Sequence, residues 1–125
     1  MSLLKSLFKS KENTPDNVKS FNWYELSDIN AITDLSESSN KKKIVIFKHS
    51  TRCGISRMVL KSFEKKWADN QNVDFYYLDL LNHRDISNAL ADIFEVIHQS
   101  PQIIVLEKGT LKAHASHYDI LNIEL

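Results

Sequence analysis

The stretch Ile44-Val45-Ile46-Phe47-Lys48-His49-Ser50-Thr51-Arg52-Cys53-Gly54-Ile55-Ser56-Arg57 decides the fold, because it passes from an apolar run through a polar loop into an amphipathic pattern. Ile44 to Phe47 is hydrophobic on both faces, which a strand tolerates only when both sides are covered, so Lys43 to His49 is predicted as a central strand. From Gly54 to about Asn70, Ile55, Val59, Phe63 and Trp67 recur at four-residue steps. Met58 and Leu60 widen that stripe and lysines fill the other face, so a helix is predicted there. Cys53, the one cysteine of the chain, stands at the head of that helix. Unpaired backbone N–H groups and the positive end of the helix dipole favour thiolate over thiol at such a place.

Working outward, Phe21 to Leu26 is aromatic and strand-like, and Ser27 to Leu35 carries a cap followed by Ile29, Ile32 and Leu35 at helical spacing. Val73 to Leu80 reads as a strand, and Asp85 to Ile97 as a helix with Ile86, Leu90, Ile93, Phe94 and Ile97 inward. Ser100 to Leu106 is a strand entered through Pro101, Glu107-Lys108-Gly109-Thr110 a hairpin turn into Leu111 to Ala115, and Tyr118 to Leu125 a short closing helix. The order βαβαβαββα predicts an α/β domain over residues 21–125: a mixed central sheet with right-handed crossovers and helices on both faces. Residues 1–20 read as an appendage. Leu3, Leu4, Leu7 and Phe8 make a short amphipathic stripe ahead of a polar segment containing Pro15.

Composition narrows the function. A chain of 125 residues can bury a core without disulfides or metal. Its 16 basic and 16 acidic side chains cancel, which gives no reason to expect a nucleic acid partner. No apolar run approaches the roughly 20 residues that cross a bilayer, and no membrane partner is expected. Lysines interrupt the apolar residues of the first ten positions, a poor signal peptide, so the expected compartment is a reducing cytoplasm.

The cysteine loop carries the chemistry. Thr51, Arg52, Gly54 and Ser56 describe a polar loop and helix cap rather than the apolar face in which lone cysteines are buried, so Cys53 reads as a nucleophile. Arg52 and Arg57 add positive charge on either side. Ser56 lies one turn on, where a redox dithiol would carry a second cysteine. It is expected to donate a hydrogen bond to the thiolate, which it cannot resolve. Any disulfide partner of Cys53 must therefore come from another molecule. Ser100 can offer backbone groups to an extended substrate segment, and Ser100-Pro101 is a candidate cis peptide bond.

Together these features resemble the thioredoxin superfamily, and a three-layer thioredoxin-like fold is the expectation. Lys48 to Ser56, His98-Gln-Ser-Pro-Gln102 and Ala115-Ser-His-Tyr-Asp-Ile120 resemble the YtxJ-type monothiol bacilliredoxins of the bacillithiol system. The resemblance implies an enzyme, a thiol–disulfide oxidoreductase that removes bacillithiol from mixed disulfides on proteins. Cys53 would attack, with Ser56, Arg52 and Gly54 supporting the thiolate. Thr51, Ser100 and Pro101 would meet the substrate, Pro101 as a cis-proline facing the thiol. Bacillithiol would be the co-substrate, with no bound cofactor and bacillithiol-modified proteins as partners. Gly54 departs from the proline found beside the cysteine in many relatives.

Two rival readings resemble other families. Cys53, Ser56 and Arg57 fit the Cys-x-x-Ser-Arg loop of arsenate reductases, but three arginines, Arg52, Arg57 and Arg84, make a thin oxyanion cluster. Cys53-Gly-Ile-Ser56 resembles the Cys-Gly-Phe-Ser motif of monothiol glutaredoxins, which hold an iron–sulfur cluster. Here Ala113-His-Ala-Ser-His117 stands where those proteins bind glutathione through a Gly-Gly segment. His114 and His117 form a loose His-x-x-His, yet zinc needs four ligands and there is no second cysteine, so no metal is expected. If the fold is as expected, His49 from the same loop and His98 from the turn before Pro101 would approach the thiol and tune the thiolate when protonated, although a solvated or backbone-bonded side chain is the plainer reading of each.

Overall fold

The computed structural model describes residues 21–125. The stripe of Leu3, Leu4, Leu7 and Phe8 lies outside the described residues. The elements are β1 (Trp23–Glu25), α1 (Ala31–Ser38), β2 (Lys43–His49), α2 (Gly54–Trp67), β3 (Val73–Asp79), α3 (Arg84–Phe94), β4 (Gln102–Glu107) and β5 (Thr110–Ser116). A 3-10 helix over His117–Asn122 follows. The strands form one sheet in the order β1-β3-β2-β4-β5, with β2 at its centre as its two-sided hydrophobicity requires. Strands β1, β3 and β2 run parallel, β4 runs antiparallel to β2, and β5 runs antiparallel to β4.

Alternation along the strands sorts the core into two layers. Ile44 and Ile46 of β2, with Leu78, Ile104 and Leu106, pack against Ile32 and Leu35 of α1 and Ile86 and Leu90 of α3. On the other face Val45 and Phe47, with Phe75, Ile103 and Val105, pack against Val59 and Phe63 of α2 and Ile120 of the 3-10 helix. Trp23 adds aromatic area there, stacked on Phe63 at 6.1 Å, with its Nε1 donating to Glu64 at 2.7 Å. The mixed α/β sheet clad on both faces is the architecture expected.

Several boundaries and faces differ from expectation. Helix α1 begins at Ala31, because Asp28 first makes a turn in which its carboxylate accepts the Asn30 N–H at 2.9 Å; Ile29 is left outside the helix and exposed. In α2 the buried positions are Ser56, Val59 and Phe63, while Ile55 and Met58 are exposed. A four-residue step overshoots a helical turn by about 40°, so the i+4 stripe drifts across the buried face and its first member falls outside. Helix α3 buries Ile86, Ser87 and Leu90, which centres its inner face towards Ser87 and leaves Ile93 exposed. Glu95 then turns into the left-handed region with φ 55°, so Val96 is buried and Ile97 points out. The chain closes in a 3-10 helix over 117–122 rather than a segment running to Leu125.

The hairpin joining β4 to β5 has positive φ at both Lys108 and Gly109, the pairing of a type I′ turn. It docks onto the end of α1, where Ser39 accepts the Lys108 N–H through its carbonyl at 2.8 Å and the Gly109 N–H through its hydroxyl at 2.9 Å. No helix among the described residues is long and apolar enough to cross a membrane.

Candidate functional site

The parallel strand β2 ends at His49, and the loop 50–52 delivers Cys53 to the N-cap of α2. Cys53 has extended backbone angles, φ −105° and ψ 122°, and is a free, partly exposed thiol. The loop is fixed from within: the Cys53 N–H donates to the Ser50 carbonyl at 3.2 Å, and the Arg57 guanidinium donates to the Thr51 carbonyl at 3.1 Å. Thr51, Arg52 and Arg57, the neighbours of Cys53 along the loop and first helical turn, are exposed. Gly54 opens α2 without a steric requirement for glycine, since an added Cβ would meet only Arg57 Nη2 at 3.9 Å.

Ser56 is fully buried, and its hydroxyl is committed elsewhere than expected. It accepts the Ser50 N–H at 3.1 Å and shares a 2.7 Å hydrogen bond with His49 Nδ1, in place of the expected bond to the sulfur. His49 is itself buried. Burial pushes its imidazole below the usual histidine range; the Asp79 carboxylate opposes this and the Arg57 guanidinium adds to it. His49 is thus neither solvated nor backbone-bonded but part of the latch that closes the cysteine loop onto α2.

The second wall comes from the antiparallel neighbour. Lys48 pairs with Gln102 in the β2–β4 register, and continuing that register brings Pro101 opposite His49 at the strand end that feeds the cysteine loop. The Ser100–Pro101 peptide bond is cis. The Pro101 carbonyl accepts the His117 N–H at 2.9 Å, tying this corner to the closing 3-10 helix. The Ser100 hydroxyl and Gln102 Oε1 are buried without a protein partner.

Sequence reasoning did not single out Lys48. It is fully buried on the α3 side of β2, with Nζ 3.2 Å from His98 Nδ1 and 3.4 Å from the Ser87 carbonyl. Burial lowers its pKa to about 8. The signal was there: Lys48 follows Ile44 and Ile46 at the two-residue period of one strand face. His114 and His117 are exposed, and among the described residues no group of three or more His, Cys, Asp or Glu is placed to hold a metal ion.

Comparison with solved structures places the fold. The chain is similar to a structure described as an oxidoreductase with a thioredoxin fold, at 30% identity and TM-score 0.69, covering 78% of this chain and 86% of that one. It is similar to the thioredoxin of Malassezia sympodialis at 20% identity and TM-score 0.65, covering 84% and 87% of the two chains. Mitochondrial thioredoxin 3 of Saccharomyces cerevisiae matches at 21% identity and TM-score 0.63, covering 80% and 88%. The expected thioredoxin-like fold is therefore present, and a lone thiol on the N-cap of α2 gives it redox capacity without a resolving partner. The family model described as monothiol bacilliredoxin BrxC matches residues 24–125, and the chain belongs to that family of thioredoxin-like redox proteins.

Proposed function

We propose that this chain removes bacillithiol from mixed disulfides on proteins, with Cys53 as the attacking group. The observation that carries the reading is a partly exposed N-cap thiol, the chain's one cysteine, at the strand end that the β2–β4 register shares with cis-Pro101. Membership of the monothiol bacilliredoxins supports the identity of the small thiol.

The Cys53 thiolate attacks the sulfur of the cap in line with the existing S–S bond. A Cys53–cap disulfide forms, the bond between cap and client breaks, and the client sulfur leaves as a thiolate. A second low-molecular-weight thiolate then attacks the cap sulfur, releasing a small-molecule disulfide and regenerating Cys53. Arg52 and the α2 N-terminus, with Gly54 presenting its first N–H, support negative charge on the sulfur. Ser56 serves at one remove, by latching the loop through Ser50 and His49. Thr51, the backbone of Ser100 and the ring of Pro101 meet the client, which pairs with Ser100 as an extended segment. The domain over residues 21–125 carries this chemistry, residues 1–20 are an appendage to it, and a reducing cytoplasm is the compartment that suits it.

Offering the full chain a model protein capped with bacillithiol, and in parallel one capped with glutathione, tests the substrate. Faster release of the client from bacillithiol is expected. Equal rates would remove the bacillithiol assignment, while arsenate turnover, or a brown chromophore after anaerobic reconstitution with iron and sulfide, would move the chain to one of the rival activities.

A further inference from the structure

Lys48 is the one buried lysine among the described residues, and the mechanism above leaves it without a task. Its Nζ lies 3.2 Å from His98 Nδ1 and 3.4 Å from the Ser87 carbonyl, and Ser87 Oγ is also 3.2 Å from that same nitrogen. A lysine ammonium only donates, so His98 Nδ1 must accept and the imidazole carries its proton on Nε2. His98 itself is exposed, with its Nδ1 edge turned to Lys48 and Ser87; partial desolvation lowers its pKa first, Lys48 from β2 and Arg84 from α3 lower it further, and no carboxylate opposes them. None acts on Lys48 either. Filling this position with an uncompensated cation is costly, and a methionine of similar length would fill the space. What the lysine alone supplies is a directed hydrogen bond from the central strand to the loop that leads into Pro101. Gln102 Nε2, donating to the Ile97 carbonyl at 3.0 Å, grips the same loop from β4.

We propose that Lys48, acting through His98, is a positioning residue that holds the Ser100–Pro101 loop in place for an extended protein client. This rests on the reading of Cys53 as the group that takes a cap from such a client. Protonating His98 would set an imidazolium against the ammonium and open the clamp. The clamp is therefore intact above the lowered range of His98 and is lost as pH falls through it.

The test uses the full chain and three variants: Lys48→Met, His98→Phe and the double variant. Three quantities are followed: cap uptake from a bacillithiol-capped protein, alkylation of Cys53 by iodoacetamide, and the His98 titration by NMR. Lys48→Met is expected to slow cap uptake about tenfold and to leave alkylation unchanged, while His98 titrates at higher pH than in the wild type. The double variant should be no slower than the slower single one. Unchanged cap uptake in Lys48→Met, or single effects that multiply in the double variant, would overturn the clamp. A Lys48→Met chain that failed to fold would leave His98→Phe to give the same kinetic contrast. A wild-type chain that is alkylated but takes up no cap defeats the functional reading instead, and the His98 titration in Lys48→Met then decides the clamp alone.

Discussion

The Ser56 hydroxyl joins three parts of the molecule from inside the core: the end of β2 through His49, the cysteine loop through Ser50, and α2 on which it sits. Ser56→Ala leaves the buried His49 Nδ1 and the half-buried Ser50 N–H without that partner, and a loss of about 1–3 kcal/mol is expected in urea denaturation. Gly54→Ala should do the reverse. The site has room for a Cβ, so alanine is expected to add about 0.4–1 kcal/mol by restricting the unfolded chain. The cysteine's position at a helix start was legible from the residue pattern alone. The partner of Ser56 was not, because a Cys-x-x-Ser spacing shows that two side chains share a helix end but not which third group competes for the hydroxyl.

Among the elements, β2 was the most legible, since four consecutive apolar residues with a strand's length admit few placements, and its limits fell at Lys43 and His49 as expected. The helices were legible in existence and less so in face. Drift of the i+4 stripe moved Ile55 out of the α2 core, and the left-handed Glu95 carried Ile97 out of α3. Phe63 marks the true centre of the α2 face, touching Trp23, Phe47 and Phe75. Phe63→Ala is expected to cost about 3–5 kcal/mol, seen as a lower denaturation midpoint. Lys48 gives the β2–α3 layer a pH signature. Its folded pKa of about 8 lies below the unfolded value of 10.5, so the folded state holds fewer protons between them. The burden on folding is fully present below about pH 8 and is relieved as pH rises towards 10.5. Lys48→Met should therefore gain stability over the wild type at pH 7 and lose that advantage by pH 10.5, as thermal denaturation at the two pH values would show.

At the scale of the whole molecule, the two faces of one mixed sheet divide the labour. The α1–α3 face holds Lys48 and the approach to Pro101, while the α2 face holds His49, Ser56 and the cysteine helix. Both meet at the strand ends shared by β2 and β4. That division followed from the alternation of strands and helices and from residue parity along β2, which is why the architecture could be read from the sequence. The contacts of His98 across the loop could not, because no periodic pattern reports where a loop side chain lands. The account stands on Cys53 being the atom that receives the cap. Intact-mass analysis and peptide mapping of the full chain, after mixing with one equivalent of a bacillithiol-capped protein, test this most directly. The account predicts that the mass of one bacillithiol moves from the client to Cys53, with none on a Cys53→Ser variant; a client that keeps its cap beside an unmodified, alkylatable Cys53 would contradict it.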